Sequence, residues 1–124
     1  MTGSSNHNLS PFQWAALHAF FAIERRFYLT GGAALVGYHL HHRSTSDLDL
    51  FTPDADAHGA ARHVLTDVAE AIEAQVSIQR HSPGYLRFLL ERAGDGLVVD
   101  VVHERVHQVC PVKMERDGVI LDPP

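Results

Sequence analysis

A chain of 124 residues and 13.7 kDa holds one ordinary domain, and with 45% apolar and 20% charged residues it can build a packed core, which excludes wholesale disorder. Ten Lys and Arg against fifteen Asp and Glu leave a formal charge of −5, so the chain as a whole is not built to grip a nucleic-acid backbone. No apolar run is long enough to span a bilayer, the polar start Met1–Asn8 lacks a secretory pattern, and the single Cys110 makes neither an internal disulfide nor a cysteine zinc site, so a soluble, cytoplasmic protein with no membrane partner is expected.

Residues 1–9 read as a loose, flexible polar arm, and residues 10–124 as one domain. Ser10-Pro11-Phe12-Gln13 has the composition of a helix start, with a capping serine, a proline at the first helical position and a glutamine three residues after the cap. Trp14, Leu17, Phe20 and Phe21 follow at helical spacing, which predicts a helix to about Arg26 with an aromatic, core-facing side. Phe27–Thr30 is short and β-prone and is stopped by Gly31-Gly32. Ala33–His42 reads as a second helix through Ala34, Leu35 and Tyr38, and Arg43-Ser44-Thr45 as a connector.

From Ser46 to Thr52 the chain alternates strictly, placing Asp47, Asp49 and Phe51 on one face of a strand and Leu48 and Leu50 on the other. Asp56–Ala74 carries Val64, Leu65, Val68 and Ile72 in a helical stripe, so one long helix is expected there. Gln75–Arg80, Tyr85–Arg92 and Leu97–Glu104 read as strands separated by Ser82-Pro83-Gly84 and by Ala93-Gly94-Asp95-Gly96, the latter a hairpin signal. The tail Gln108–Leu121 has room for one or two short strands around Asp117-Gly118. Helices early and hairpins late imply an α+β domain, a mixed sheet with helices packed on it.

Two features carry chemistry. Gly31-Gly32 sits between a strand and a helix, where the backbone can approach a bound group and helix N–H donors favour phosphate, although such a pair also serves as a plain tight turn. Asp47 and Asp49 leave the same strand face, able to share a cation or to form an ordinary polar solvent face. Asp100 adds weight to the first reading. It lies in the otherwise apolar run Leu97–Val102, where a buried carboxylate requires a cation, an arginine or a hydrogen-bonding partner. If its strand neighbours that of Asp47 and Asp49, three carboxylates converge, and oxygen donors of this kind select Mg²⁺ or Mn²⁺. Two such ions beside a phosphate-friendly turn would make a phosphoryl- or nucleotidyl-transfer site.

Thr30-Gly31-Gly32, a helix, Asp47-Leu48-Asp49 on a strand and Asp100 on a later strand together resemble the nucleotidyltransferase superfamily typified by DNA polymerase beta. The stretches Tyr28–Leu35 and His42–Phe51 are still more similar to the AbiEii/AbiGii toxin family of bacterial nucleotidyltransferases. The resemblance implies a minimal nucleotidyltransferase fold and Mg²⁺-dependent transfer of a nucleoside monophosphate from an NTP to an acceptor hydroxyl on RNA, protein or a small molecule. It further implies a role in a toxin–antitoxin or phage-defence pair, with an antitoxin or partner subunit. It assigns the metals to Asp47, Asp49 and Asp100, with Asp100 also serving or assisting as base. The nucleotide goes to Thr30, Gly31 and Gly32, with Arg43 and Ser46 near phosphate or steadying the aspartates. Related chains continue past the position of Leu121 into a helical region, which this domain is expected to lack, and a truncated member that binds nucleotide or a partner without chemistry is the alternative.

The histidines carry less. His39 and His42 are helical neighbours while His41 points elsewhere, and a polar helix end explains them as well as a metal does. His103 and His107 flank the end of the Asp100 strand with the same plain explanation, and Cys110 reads as a small buried residue.

Overall fold

The computed structural model describes residues 9–31, 47–104 and 113–121. Helix α1 spans Pro11–Ile23 and begins as its sequence dictates: Gln13 N–H donates to Ser10 Oγ at 3.0 Å, and Ser10 N–H donates to Gln13 Oε1 at 2.8 Å. Leu9 and Trp14, the residues just before the cap and at the fourth helical position, are both buried, the placement of a hydrophobic staple. Leu9 therefore belongs to the core and not to a loose arm.

Among the described residues seven strands follow: β1 (Tyr28–Thr30), β2 (Asp47–Thr52), β3 (Gln75–Ser82), β4 (Tyr85–Arg92), β5 (Asp95–His103), β6 (Met114–Arg116) and β7 (Val119–Leu121). They form one sheet in the order β3-β4-β5-β2-β1-β7-β6, with β2 parallel to β5, β1 parallel to β7 and the other pairings antiparallel. The mixed α+β architecture expected from the element order is the one observed. The β4–β5 turn is tighter than the sequence suggests, because Ala93 and Gly94 both take positive φ and close a two-residue hairpin.

The long helix expected over 56–74 is two helices, α2 (Ala55–Gly59) and α3 (Ala61–Ala71). The break falls at Gly59-Ala60, where glycine lowers helix propensity. Asp54 caps α2 by accepting from the N–H groups of Asp56 and Ala57. The helix expected over 33–42 lies outside the described residues, as do His39, His41, His42, His107 and Cys110.

α1 packs on β5 and β7, α2 on β2 and β5, and α3 on α1 and β3. All cover one sheet face, where Leu48, Leu50, Leu86, Phe88, Leu90, Val99 and Val101 are buried with Leu17, Phe20, Phe21 and Leu65 in a single core. Phe20 meets Phe21 and Phe27 edge-on at 5.2 and 5.3 Å between ring centroids, the arrangement aromatic quadrupoles prefer. No helix among the described residues is long and apolar enough to cross a membrane.

Candidate active site

Register decides which side chains share the other sheet face. Asp49 pairs with Asp100 across the parallel β2–β5 ladder, and Asp47 pairs with Val98. Side chains alternate along each strand, so Asp47, Asp49 and Asp100 all leave the face opposite the core. Asp47 and Asp49 are half-buried and Asp100 is buried. Burial pushes the Asp49 carboxyl up, the negative charges of Asp100 and Asp47 push it further, and Arg87 draws it partly back. At Asp49 the effect of burial and neighbouring negative charge thus outweighs the pull of Arg87.

Asp100 has its own counter-ion. Arg87, its cross-strand partner on β4, donates from Nε to Oδ1 at 2.8 Å and from an Nη to Oδ2 at 3.0 Å, and the Tyr85 hydroxyl donates to Oδ1 at 2.8 Å. The two-pronged guanidinium contact is the strong geometry for a carboxylate, and it holds Arg87 more firmly protonated than usual. Burial and the bond to Asp100 raise the Tyr85 phenol. As they stand, no three acidic, histidine or cysteine side chains among the described residues are arranged to hold a metal ion. The donors themselves are carboxylate oxygens, the chemistry that suits Mg²⁺ or Mn²⁺, and the surplus charge at Asp49 is what a divalent cation would relieve.

On the other side of β2, Thr30 pairs with Asp49 and Tyr28 with Phe51, which brings Thr30 to the same face. Gly31 follows with φ +72, and a β-carbon built on it would overlap the Asp49 carboxylate, 2.9 Å from its Cγ. Glycine is required here twice, for the backbone conformation and for the approach of the carboxylate. Lys113 reaches the Tyr28 ring, its ammonium 3.8 Å from the centroid, and the Tyr28 hydroxyl donates to Glu104 at 2.6 Å.

The structure thus brings together Thr30, Gly31, Asp47, Asp49 and Asp100, while Gly32, Arg43 and Ser46 lie outside the described residues. His103 pairs with Thr52 on the helix-covered face, its ring 5.9 Å from that of His58, and so stands apart from Asp100. Arg87, Tyr85 and Lys113 were not anticipated. The alternation of Tyr85 and Arg87 with buried Leu86, Phe88 and Leu90 was the signal that placed the first two on the polar face.

The profile of the family described as Nucleotidyl transferase AbiEii toxin, Type IV TA system, matches residues 15–115. The chain belongs to the AbiEii family. Solved structures that share its fold include two from Helicobacter pylori. JHP933 from Helicobacter pylori superposes with a TM-score of 0.67 at 16% identity, covering 93% of this chain and 53% of that one. A proposed nucleotidyltransferase from H. pylori superposes with a TM-score of 0.64 at 17% identity, covering 89% of this chain and 50% of that one. This AbiEii chain therefore spans about half the length of these structural neighbours. A comparison with curated proteins finds no match.

Proposed function

We propose that this AbiEii-family chain moves a nucleoside monophosphate from an NTP to an acceptor hydroxyl, acting in the cytoplasm as the toxin of a toxin–antitoxin pair and held in check by an antitoxin. The observation that carries the reading is the Asp49–Asp100 register on adjacent parallel strands, with Asp47 two residues away on the same face. Membership of the AbiEii family supports reading that arrangement as a nucleotidyl-transfer site.

Asp47, Asp49 and Asp100 would hold Mg²⁺ or Mn²⁺, which when bound supplies the positive charge that steadies a triphosphate and makes an acceptor hydroxyl easier to deprotonate. The chain's own groups do the rest. The backbone at Thr30 and Gly31 lies next to Asp49, so that N–H donors of the turn, to which Gly32 also belongs in sequence, would meet phosphate beside the carboxylates. Asp100 receives or directs the proton leaving the acceptor hydroxyl, and Arg87 and Tyr85 fix the plane of its carboxylate. Arg43 and Ser46, from the segment leading into β2, contact phosphate or steady the aspartates. Pyrophosphate leaves as the new phosphodiester bond to the acceptor oxygen forms.

The clamp on Asp100 favours a second reading, a member that binds nucleotide or a partner protein without transfer, since both Asp100 oxygens already have donors. Incubation with each labelled NTP, Mg²⁺ and cell extract separates the two. Transfer of label to a macromolecule or small molecule, lost in Asp49→Asn, is expected. Nucleotide that binds but is never transferred would establish the second reading.

A further inference from the structure

β3 is an edge strand, and its pairing with β4 is irregular at one place. Ile78 pairs with Phe88 and the next pair is Arg80 with Arg87, so Gln79 is an extra, unpaired residue, a β-bulge. Its consequence is directional. Without the bulge, Gln79 would stand opposite Arg87, and Arg80 opposite Leu86 on the helix-covered face. With it, Arg80 is moved to the face that carries Arg87, Tyr85, Asp100, Asp49 and Asp47.

This placement is unfavourable for the protein alone. Like charges directly opposite on neighbouring strands repel. Arg80 is exposed and makes no hydrogen bond or ion pair among the described residues. Arg87 donates to Asp100 from its Nε and one Nη, its other guanidinium N–H groups make no hydrogen bond among the described residues, and its side chain is 36% exposed. Both guanidiniums act on the Tyr85 phenol, each favouring its ionised form against burial and the Asp100 bond. In a chain of net charge −5, a bulge thus sets two arginines side by side at the rim of the carboxylate cluster.

We propose that Arg80 and Arg87 form a phosphate-binding subsite beside Asp47, Asp49 and Asp100, which holds an anionic group of one of the two substrates during transfer. The inference rests on the transferase reading and extends it by naming phosphate as what lies over β3 and β4. Two sources share this chemistry, the triphosphate of the NTP and a phosphodiester of a nucleic-acid acceptor. An anion between the two guanidiniums converts their repulsion into a pair of charge-assisted contacts while Arg87 keeps its hold on Asp100.

Two binding titrations test it, with a fluorescently labelled single-stranded RNA and with a fluorescent NTP analogue plus Mg²⁺. Each is run at roughly 50 and 200 mM salt on wild type, Arg80→Gln and Arg80→Lys. Arg80→Gln is expected to weaken one titrant about five- to tenfold and to reduce its salt dependence by about one phosphate contact, with Arg80→Lys recovering part of the loss. Loss for RNA alone assigns the subsite to the acceptor, and loss for the NTP alone assigns it to the triphosphate. The melting temperature of Arg80→Gln should hold or rise slightly, since the residue is exposed and its loss relieves the repulsion with Arg87. Equal affinity of wild type and Arg80→Gln for both titrants, or no binding of either by wild type, overturns the proposal. Failure of the underlying reading looks different: Arg80-dependent binding with no transfer of label from any NTP.

Discussion

The two faces of one sheet are built on opposite physical terms. Under α1, α2 and α3, Leu48, Leu50, Phe88 and Val101 are sealed from water, and each gains stability from burial. One residue along on the same strands, Asp49 stands beside Asp100 where burial and the charges of Asp100 and Asp47 work against its ionised form. The helix-covered face is optimised for folding, whereas the other keeps charges that cost stability unless a ligand compensates them. That contrast is the structural argument for a functional site, and substitutions on either face should answer it with opposite signs.

The largest effect belongs to the covered face. Phe88→Ala removes a ring that is 1% exposed from the middle of β4 and should cost about 3–5 kcal/mol in a denaturant melt. A loss below about 1 kcal/mol would mean that this core is loosely packed and that the contrast between faces is overstated.

Gly31→Val acts at the junction of the two faces. The side chain meets the Asp49 carboxylate, and the backbone is held at φ +72, so a stability loss of about 1–3 kcal/mol is expected together with loss of NTP binding. Calorimetry with Mg²⁺-NTP under conditions where the variant remains folded checks the second part. Nucleotide affinity equal to wild type would reduce Gly31 to a turn residue.

How far the sequence revealed this site depends on distance along the chain. The face shared by Asp47 and Asp49 follows from their spacing, and the need of Asp100 for a partner follows from the apolar run around it. Both are local patterns. That β2 lies beside β5 is a pairing between distant segments, which alternation within a strand cannot specify, and it became readable only through the family resemblance. The Arg87 clamp follows from the β4–β5 register, and the reach of Arg80 from a one-residue bulge that no periodicity announces. The helix break at Gly59-Ala60 was missed for a related reason, since the apolar stripe continues through it and only a single glycine marks the place. Leu9 was assigned to a polar arm by its neighbours, and tertiary burial claimed it.

The smallest effect in energy is the most discriminating in sign. Asp49→Asn keeps the shape of the side chain and removes one charge from the cluster. The folded-state pKa of Asp49 is raised above its ordinary 3.8, first by burial and then by Asp100 and Asp47. A group raised in the fold contributes stability that is fully present below its unfolded value and lost as pH rises through the folded one. At neutral pH the ionised Asp49 therefore carries a penalty in the metal-free protein. The asparagine variant should melt at the same temperature as wild type or gain up to about 1 kcal/mol, the size of a like-charge contact near the surface. Its advantage should open as pH rises from 3.8 through the folded-state value and stay constant above it. Glu24, lowered chiefly by its hydrogen bond with Arg26, provides the contrasting sign, since its contribution is present above 4.5 and is lost on acidification. Added Mg²⁺-NTP should raise the melting point of wild type and do so much less for Asp49→Asn, because only a ligand that prefers the folded state stabilises it. A structural carboxylate would show the reverse: a lower melting point in the variant without metal, and an undiminished response to Mg²⁺-NTP. That result would remove Asp49 from the metal site and leave the uncovered face of the sheet without its central charge.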